Sequence, residues 1–188
     1  CTPQADYTLL DHVCQSCHFT GPYASGASTS RSSPSAVHSF ISANSAWKAA
    51  MIASGSGMAL KALGANVTEY IPNRFDEGYG LNLEAMRSLR DQGANLIITV
   101  DCGIRSWEEA DYSRSIGMDL IITDHHYPLD ILPPAFAVIN PKQPGDIYPE
   151  KNLAGVGVAY KLVELLFQSE QNPLDPGEYL DLVALGTV

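Results

Sequence analysis

Two short apolar runs set the pattern of this chain. Leu96-Ile97-Ile98-Thr99-Val100 and Leu120-Ile121-Ile122-Thr123 are continuous and rich in β-branched residues. Such runs predict strands buried on both faces. Between them Ser106 to Ile116 reads as a helix, with Ser106 as N-cap and Glu109 at N3 in the arrangement of a capping box. Gly117 takes the left-handed closing position. Strand, helix and strand in succession form a right-handed βαβ unit with parallel strands.

The flanking sequence extends that pattern. MALKALGANV is the end of a helix stopped by Gly64, and Val67 to Ile71 is a strand leading into the loop Pro72–Gly80. Asn82 caps a helix from Leu83 to Gln92 that Gly93 closes. Phe136 to Ile139 is a further strand ending in Asn140-Pro141. The segment from Leu153 to Lys161 enters a helix reaching about Gln168, Pro173 to Gly177 is a break, and Tyr179 onward is apolar enough for a buried helix. The expected fold is therefore α/β and Rossmann-like, a mainly parallel sheet flanked by helices with at least four strands.

Strand direction turns this pattern into chemistry. Parallel neighbours end on one edge of the sheet, so Asp101 and Asp124-His125-His126 arrive there side by side. That carboxyl edge is where open α/β sheets hold ligands. Two acids and two imidazoles at one rim repel or are desolvated at a cost unless a cation sits among them. A divalent metal, or a pair, is the simplest occupant. Mixed carboxylate and imidazole donors suit manganese, iron or zinc better than calcium. Cys102 adjoins Asp101, but alternation along an extended chain points it to the other side.

Composition narrows the class. With 188 residues, the chain can bury one ordinary core, and its 45% apolar share is that of a globular protein. No apolar run is long enough to span a membrane. A formal net charge of −10 argues against a broad, non-specific grip on nucleic acid, though not against a substrate held locally through metals. Four cysteines do not make a disulfide framework for a chain of this length. Residues 1 to 50 differ in texture: they are rich in serine, alanine, threonine and glycine, show no sustained period, and are expected to be loop or disorder, set apart from a domain over 51–188. Cys14-Gln15-Ser16-Cys17-His18 fits the haem-attachment pattern C-x-x-C-H. The distal ligand (Met51 or Met58) is poorly placed and the packing helices are missing, so haem, like a lone zinc-binding CxxC, ranks below an unstructured or aberrant, mis-joined segment.

NRFDEGYGLN, ITVDCGI, ITDHH, VINPKQPGD, LAGVGVAYK and DLVALGTV, in this order over roughly residues 55 to 188, resemble the DHH phosphoesterase family and within it the RecJ-type single-strand-specific exonucleases. The resemblance implies that Asp101, His125 and His126 ligate divalent manganese or magnesium, with Asp124 a ligand or, more in keeping with its place, the group that orients the histidines. It implies two-metal hydrolysis of single-stranded DNA in the 5′-to-3′ direction, in the cytoplasm, with no membrane and no obligate protein partner. Arg74 and Arg105 lie on loops at the catalytic edge and can pair with phosphate bidentately, or be plain surface arginines. Gly155 and Gly157 let backbone N–H groups approach a phosphate, or serve helix–sheet packing.

Two departures from the family pattern qualify this. The Asp-rich first motif belongs shortly before MALKALGANV, where SAWKAAMIASGSG has no acid, and the family's last Asp follows a GTVA-like sequence, where this chain reads Gly186-Thr187-Val188. The expectation is a partial DHH domain with little or no turnover as it stands. The rival readings are another DHH phosphodiesterase, acting on oligonucleotides or cyclic dinucleotides, a manganese pyrophosphatase, and a catalytically silent nucleic-acid-binding module.

Overall fold

The computed structural model of the protein describes residues 36–41, 55–72, 80–169 and 175–188. Five strands form one sheet: β1 Ala36–Ile41, β2 Asn66–Tyr70, β3 Ala94–Val100, β4 Asp119–Thr123 and β5 Ala137–Ile139, in the order β2-β1-β3-β4-β5. Every neighbouring pair is parallel. The helices are α1 over residues 55–62, α2 Leu83–Asp91, α3 Trp107–Ser115, α4 Gly155–Ser169 and α5 Leu180–Thr187, the last preceded by a 3-10 turn at Pro176–Tyr179. This order winds outward in both directions from β1 and β3, so the topological switch point lies between them.

The two apolar runs bury both faces, as expected. Ile97, Leu120 and Ile122 pack with Met86, Leu89, Ala110 and Met118 on the α2/α3 side. Leu96, Ile98 and Ile121 meet Leu60, Leu162 and Leu166 on the α1/α4 side. Burying a side chain of this size fully is worth about 1.5–3 kcal/mol, so this three-layer stack is the main source of stability. Asn82 caps α2 as read: its side chain accepts the Ala85 N–H at 2.7 Å. Gly64, Gly93 and Gly117 all take positive φ where the sequence placed them as helix stops.

Three expectations are corrected. The capping box at Ser106 does not form: Ser106 has φ −89° and ψ 65° and makes no side-chain cap bond. Its N–H donates to Gly103 O at 3.0 Å, and this tight turn after Asp101 holds its backbone out of the extended range that a capping hydroxyl needs. The closing helix α5 is not buried. Val183 packs on Val100, Val156 and Ala159, but Leu180 and Leu185 stay half exposed, because its apolar residues surround the helix rather than forming one stripe. Finally, residues 36–41, inside the stretch expected to be loop or disorder, form β1. Its backbone pairs with both β2 and β3, and that pairing supplies what a six-residue run in a serine-rich context cannot signal by periodicity. Cys14 to His18 lie outside the described residues. No helix among the described residues is long and apolar enough to cross a membrane.

Candidate metal centre

Strands β3, β4 and β5 end at one level, and each is followed by a polar residue: Asp101, Asp124 and Asn140. Val100 stands opposite Thr123, and Thr123 opposite Ile139. The ladder runs one step further, with the Asp101 N–H donating to Thr123 O at 3.0 Å and the Asp124 N–H to Ile139 O at 3.1 Å. Two threonines stiffen this edge: the Thr123 hydroxyl donates to Thr99 O at 2.6 Å, and the Thr99 hydroxyl to Cys102 O at 2.8 Å. The chain turns so sharply after β3 that Asp101 adopts φ 63°, alone among the described non-glycine residues. Left-handed backbone disfavours an L-residue by about 1–2 kcal/mol, although aspartate tolerates it better than most. Strain held at a strand end beside a cluster of donors is typical of a functional site. Cys102 points away from the cluster, as alternation requires, into the α2/α3 core.

Asp124 is the buried hub. Its carboxylate accepts from the Ile104 N–H at 3.0 Å, the His125 N–H at 2.7 Å and the His126 N–H at 3.2 Å. It also lies 2.6 Å from His126 Nδ1. With three of these contacts on Oδ1 and one on Oδ2, Asp124 positions both histidines.

The tautomers follow from the partners. A carbonyl oxygen only accepts, so His125 Nδ1 carries the proton it donates to Leu153 O at 3.0 Å. The Asp124 oxygen that already accepts two backbone N–H groups favours the same tautomer in His126, whose Nδ1–H donates to it at 2.6 Å. In the neutral rings both Nε2 atoms are then bare lone pairs. His125 Nε2 nevertheless stands 2.9 Å from Asp101 Oδ1, acceptor facing acceptor. That apposition is repulsive unless a proton or a metal cation stands between the two atoms. The hydrogen bond to Asp101, followed by the charges of Asp101 and Asp124 and the Leu153 carbonyl, holds the His125 pKa above the ordinary imidazole value against the opposing effect of burial. One donor atom from each of Asp101, His125 and His126 can be chosen so that all lie within 4.8 Å of one another, and the two rings meet edge to face at 4.5 Å. A carboxylate oxygen and two neutral imidazole nitrogens at that spacing fit a single divalent ion with coordination positions to spare.

The other sequence candidates fall in different places. Gly155, the first residue of α4, lies against Asp101, and a Cβ there would sit 2.3 Å from its Oδ1. Gly157 faces Leu153, with a Cβ position 3.2 Å from Cδ2, and its N–H donates to Ala154 O. Both glycines are buried in protein contacts, which is the packing role. Arg105 is exposed at the same edge, its Nε donating to Tyr127 O at 3.0 Å. Arg74 lies outside the described residues. Two positioning groups were not legible. Asn140 is buried and donates to His126 O at 2.9 Å while accepting the Lys142 N–H at 2.8 Å. Leu153 contributes only a carbonyl, which no sequence pattern marks; the Asn140-Pro141 strand end was the one available signal.

A doubly wound parallel sheet with a carboxylate–imidazole cluster at its carboxyl edge defines an α/β protein with a candidate cation site at that edge. The chain belongs to the DHH family, whose N-terminal domain it matches over residues 39–187. The single-stranded-DNA-specific exonuclease RecJ of Bacillus subtilis (strain 168) is 51% identical over 129 residues, covering 69% of this chain and 16% of that protein. RecJ of Escherichia coli (strain K12) is 45% identical over 144 residues, covering 71% and 25%. Among solved structures, exonuclease RecJ bound to manganese gives a TM-score of 0.69 at 33% identity, over 80% of this chain and 38% of that one. RecJ of Thermus thermophilus in complex with Mn2+ gives 0.66 at 26% identity, over 97% and 24%. The chain spans about a sixth to a quarter of the length of the two curated relatives.

Proposed function

We propose that Asp101, His125 and His126 hold a divalent cation, manganese or magnesium, and that the chain contributes this centre to a phosphodiesterase degrading single-stranded DNA from its 5′ end. The observation that carries the proposal is His125 Nε2 facing Asp101 Oδ1 at 2.9 Å with its Nδ1 proton committed to Leu153, a geometry that asks for a cation. When bound, such an ion supplies Lewis acidity to a phosphate oxygen and lowers the pKa of a bound water. The protein's own part is orientation: Asp124 fixes His126, Leu153 fixes His125, and the α4 terminus holds Asp101 in place. Arg105 keeps its terminal guanidinium nitrogens for phosphate while Nε is tied to Tyr127. The relatives named as single-stranded-DNA-specific exonucleases favour that substrate over short oligonucleotides or cyclic dinucleotides. The likeness to bacterial relatives points to the cytoplasm, the compartment that holds the DNA of a bacterial cell.

One observation favours a second reading, a metal-binding but catalytically silent DNA-binding module. Ile41 is the register partner of Val100, so β1 ends level with the strand that delivers Asp101. The sequence that follows, Ser42-Ala43-Asn44-Ser45-Ala46-Trp47-Lys48, has no carboxylate for a second ion. Manganese titration and hydrolysis of 5′-labelled single-stranded DNA by the full-length protein separate the two. Hydrolysis that falls at least about a hundredfold in Asp101→Ala and His125→Ala supports the nuclease, since even partners behind the ligands are worth 10–100-fold. Manganese binding without hydrolysis supports the silent module. Hydrolysis unaffected by either substitution sinks the assignment of the centre.

A further inference from the structure

Just beyond the metal centre the rim carries a feature that metal binding does not use. Tyr127 follows His126 directly, so their Cα atoms are about 3.8 Å apart, yet the residue is 68% exposed. Lys142 Nζ sits 4.7 Å from the centre of the Tyr127 ring, and the Arg105 Nε donates to the Tyr127 carbonyl at 3.0 Å. The assembly is braced to the histidine itself, because Asn140 bonds His126 O with its amide and the Lys142 N–H with its oxygen. Among the described residues neither Arg105 nor Lys142 forms an ion pair with a carboxylate. In a chain with 21 acids against 11 lysines and arginines, one such cation over an exposed aromatic ring and another on the same residue's carbonyl are out of keeping with a simple solvated surface.

We propose that Tyr127, Lys142 and Arg105 form a nucleotide subsite beside the metal centre, in which a base stacks on the open face of the Tyr127 ring and the two cations take the adjoining phosphate. The subsite rests on the nuclease reading and deepens it, fixing where the strand lies one nucleotide from the reacting phosphate. An aromatic face stacks any base, so the subsite selects unpaired strands without selecting sequence. A duplex keeps its bases inside and cannot offer one.

The test uses the full-length protein, an oligothymidylate and an abasic strand of equal length, with binding read by fluorescence anisotropy and hydrolysis read alongside. Tyr127→Ala weakens binding of the base-bearing strand roughly fivefold to a hundredfold, the span of aromatic stacking, and leaves the abasic strand unchanged; Tyr127→Phe binds as wild type. Lys142→Ala weakens both strands and lowers the salt dependence by about one counterion. If Tyr127→Ala preserves the wild-type ratio between the two strands while hydrolysis persists, the subsite is overturned and the nuclease stands. An unsubstituted protein that neither binds nor hydrolyses either strand overturns both.

Discussion

Gly155→Ala puts the proposed metal centre under the most direct strain. The added methyl carbon would lie 2.3 Å from Asp101 Oδ1, 2.5 Å from Cγ and 2.6 Å from Cβ, far inside van der Waals contact. Because Cβ is among the clashing atoms, rotating the carboxylate alone cannot relieve it. The Asp101 backbone is pinned by its bond to Thr123 and its left-handed φ. Retreat of α4 would disturb Val156, Val158, Ala159, Leu162 and Val163, all buried. Overpacking of this kind destabilises by about 1–3 kcal/mol, whereas glycine to alanine in an open helical position stabilises by up to about 1 kcal/mol. The sign of the change therefore decides the matter. The carboxylate is also driven from its place 2.9 Å from His125, so manganese affinity should fall at least about tenfold to a hundredfold. Calorimetric titration with manganese and a thermal melt of the same sample read both effects. Gly157→Ala is the control: its methyl is tight only on Leu153 Cδ2, the far end of a flexible side chain, at 3.2 Å, with Cβ and Cγ at ordinary contact, and should change either quantity much less. A Gly155→Ala protein that melts at or above wild type and binds manganese equally well would refute the placement of Asp101.

Two further outcomes follow from the geometry. Asp124→Ala strips the acceptor from three backbone N–H groups and from His126, and should lower stability to urea by about 1–3 kcal/mol, the cost of the one buried donor, Ile104 N–H, left unmet, with less from the part-buried histidine groups; a loss under about 1 kcal/mol would show that the hub is not buried as described. In the metal-free protein the His125 pKa is raised, so its stabilising contribution is complete below the unfolded value of about 6.5 and disappears as pH climbs through the raised folded value. The stability gap between wild type and His125→Gln should accordingly narrow as pH rises above about 6.5 and on through the raised folded value, while manganese affinity, which requires loss of that proton, rises over the same span; a gap independent of pH would contradict the Asp101–His125 contact.

The sequence by itself determined β3 and β4, because both runs are apolar on successive residues and only a doubly covered parallel strand buries them all. Parallel direction then fixed that Asp101 and Asp124-His125-His126 share an edge, so that juxtaposition was legible without coordinates. What the sequence left open was decided by groups distant in the chain. The division of labour between Asp124 and the histidines depended on the Ile104 N–H and the Leu153 carbonyl, which belong to other segments and carry no side-chain signature. The role of Gly155 depended on how closely α4 crosses the end of β3, a distance no residue pattern encodes. Strand β1 was invisible for the same reason: its six residues draw their stability from two neighbouring backbones rather than from any pattern of their own. Periodicity records what one element needs to bury, and the fold alone records which element arrives to meet it.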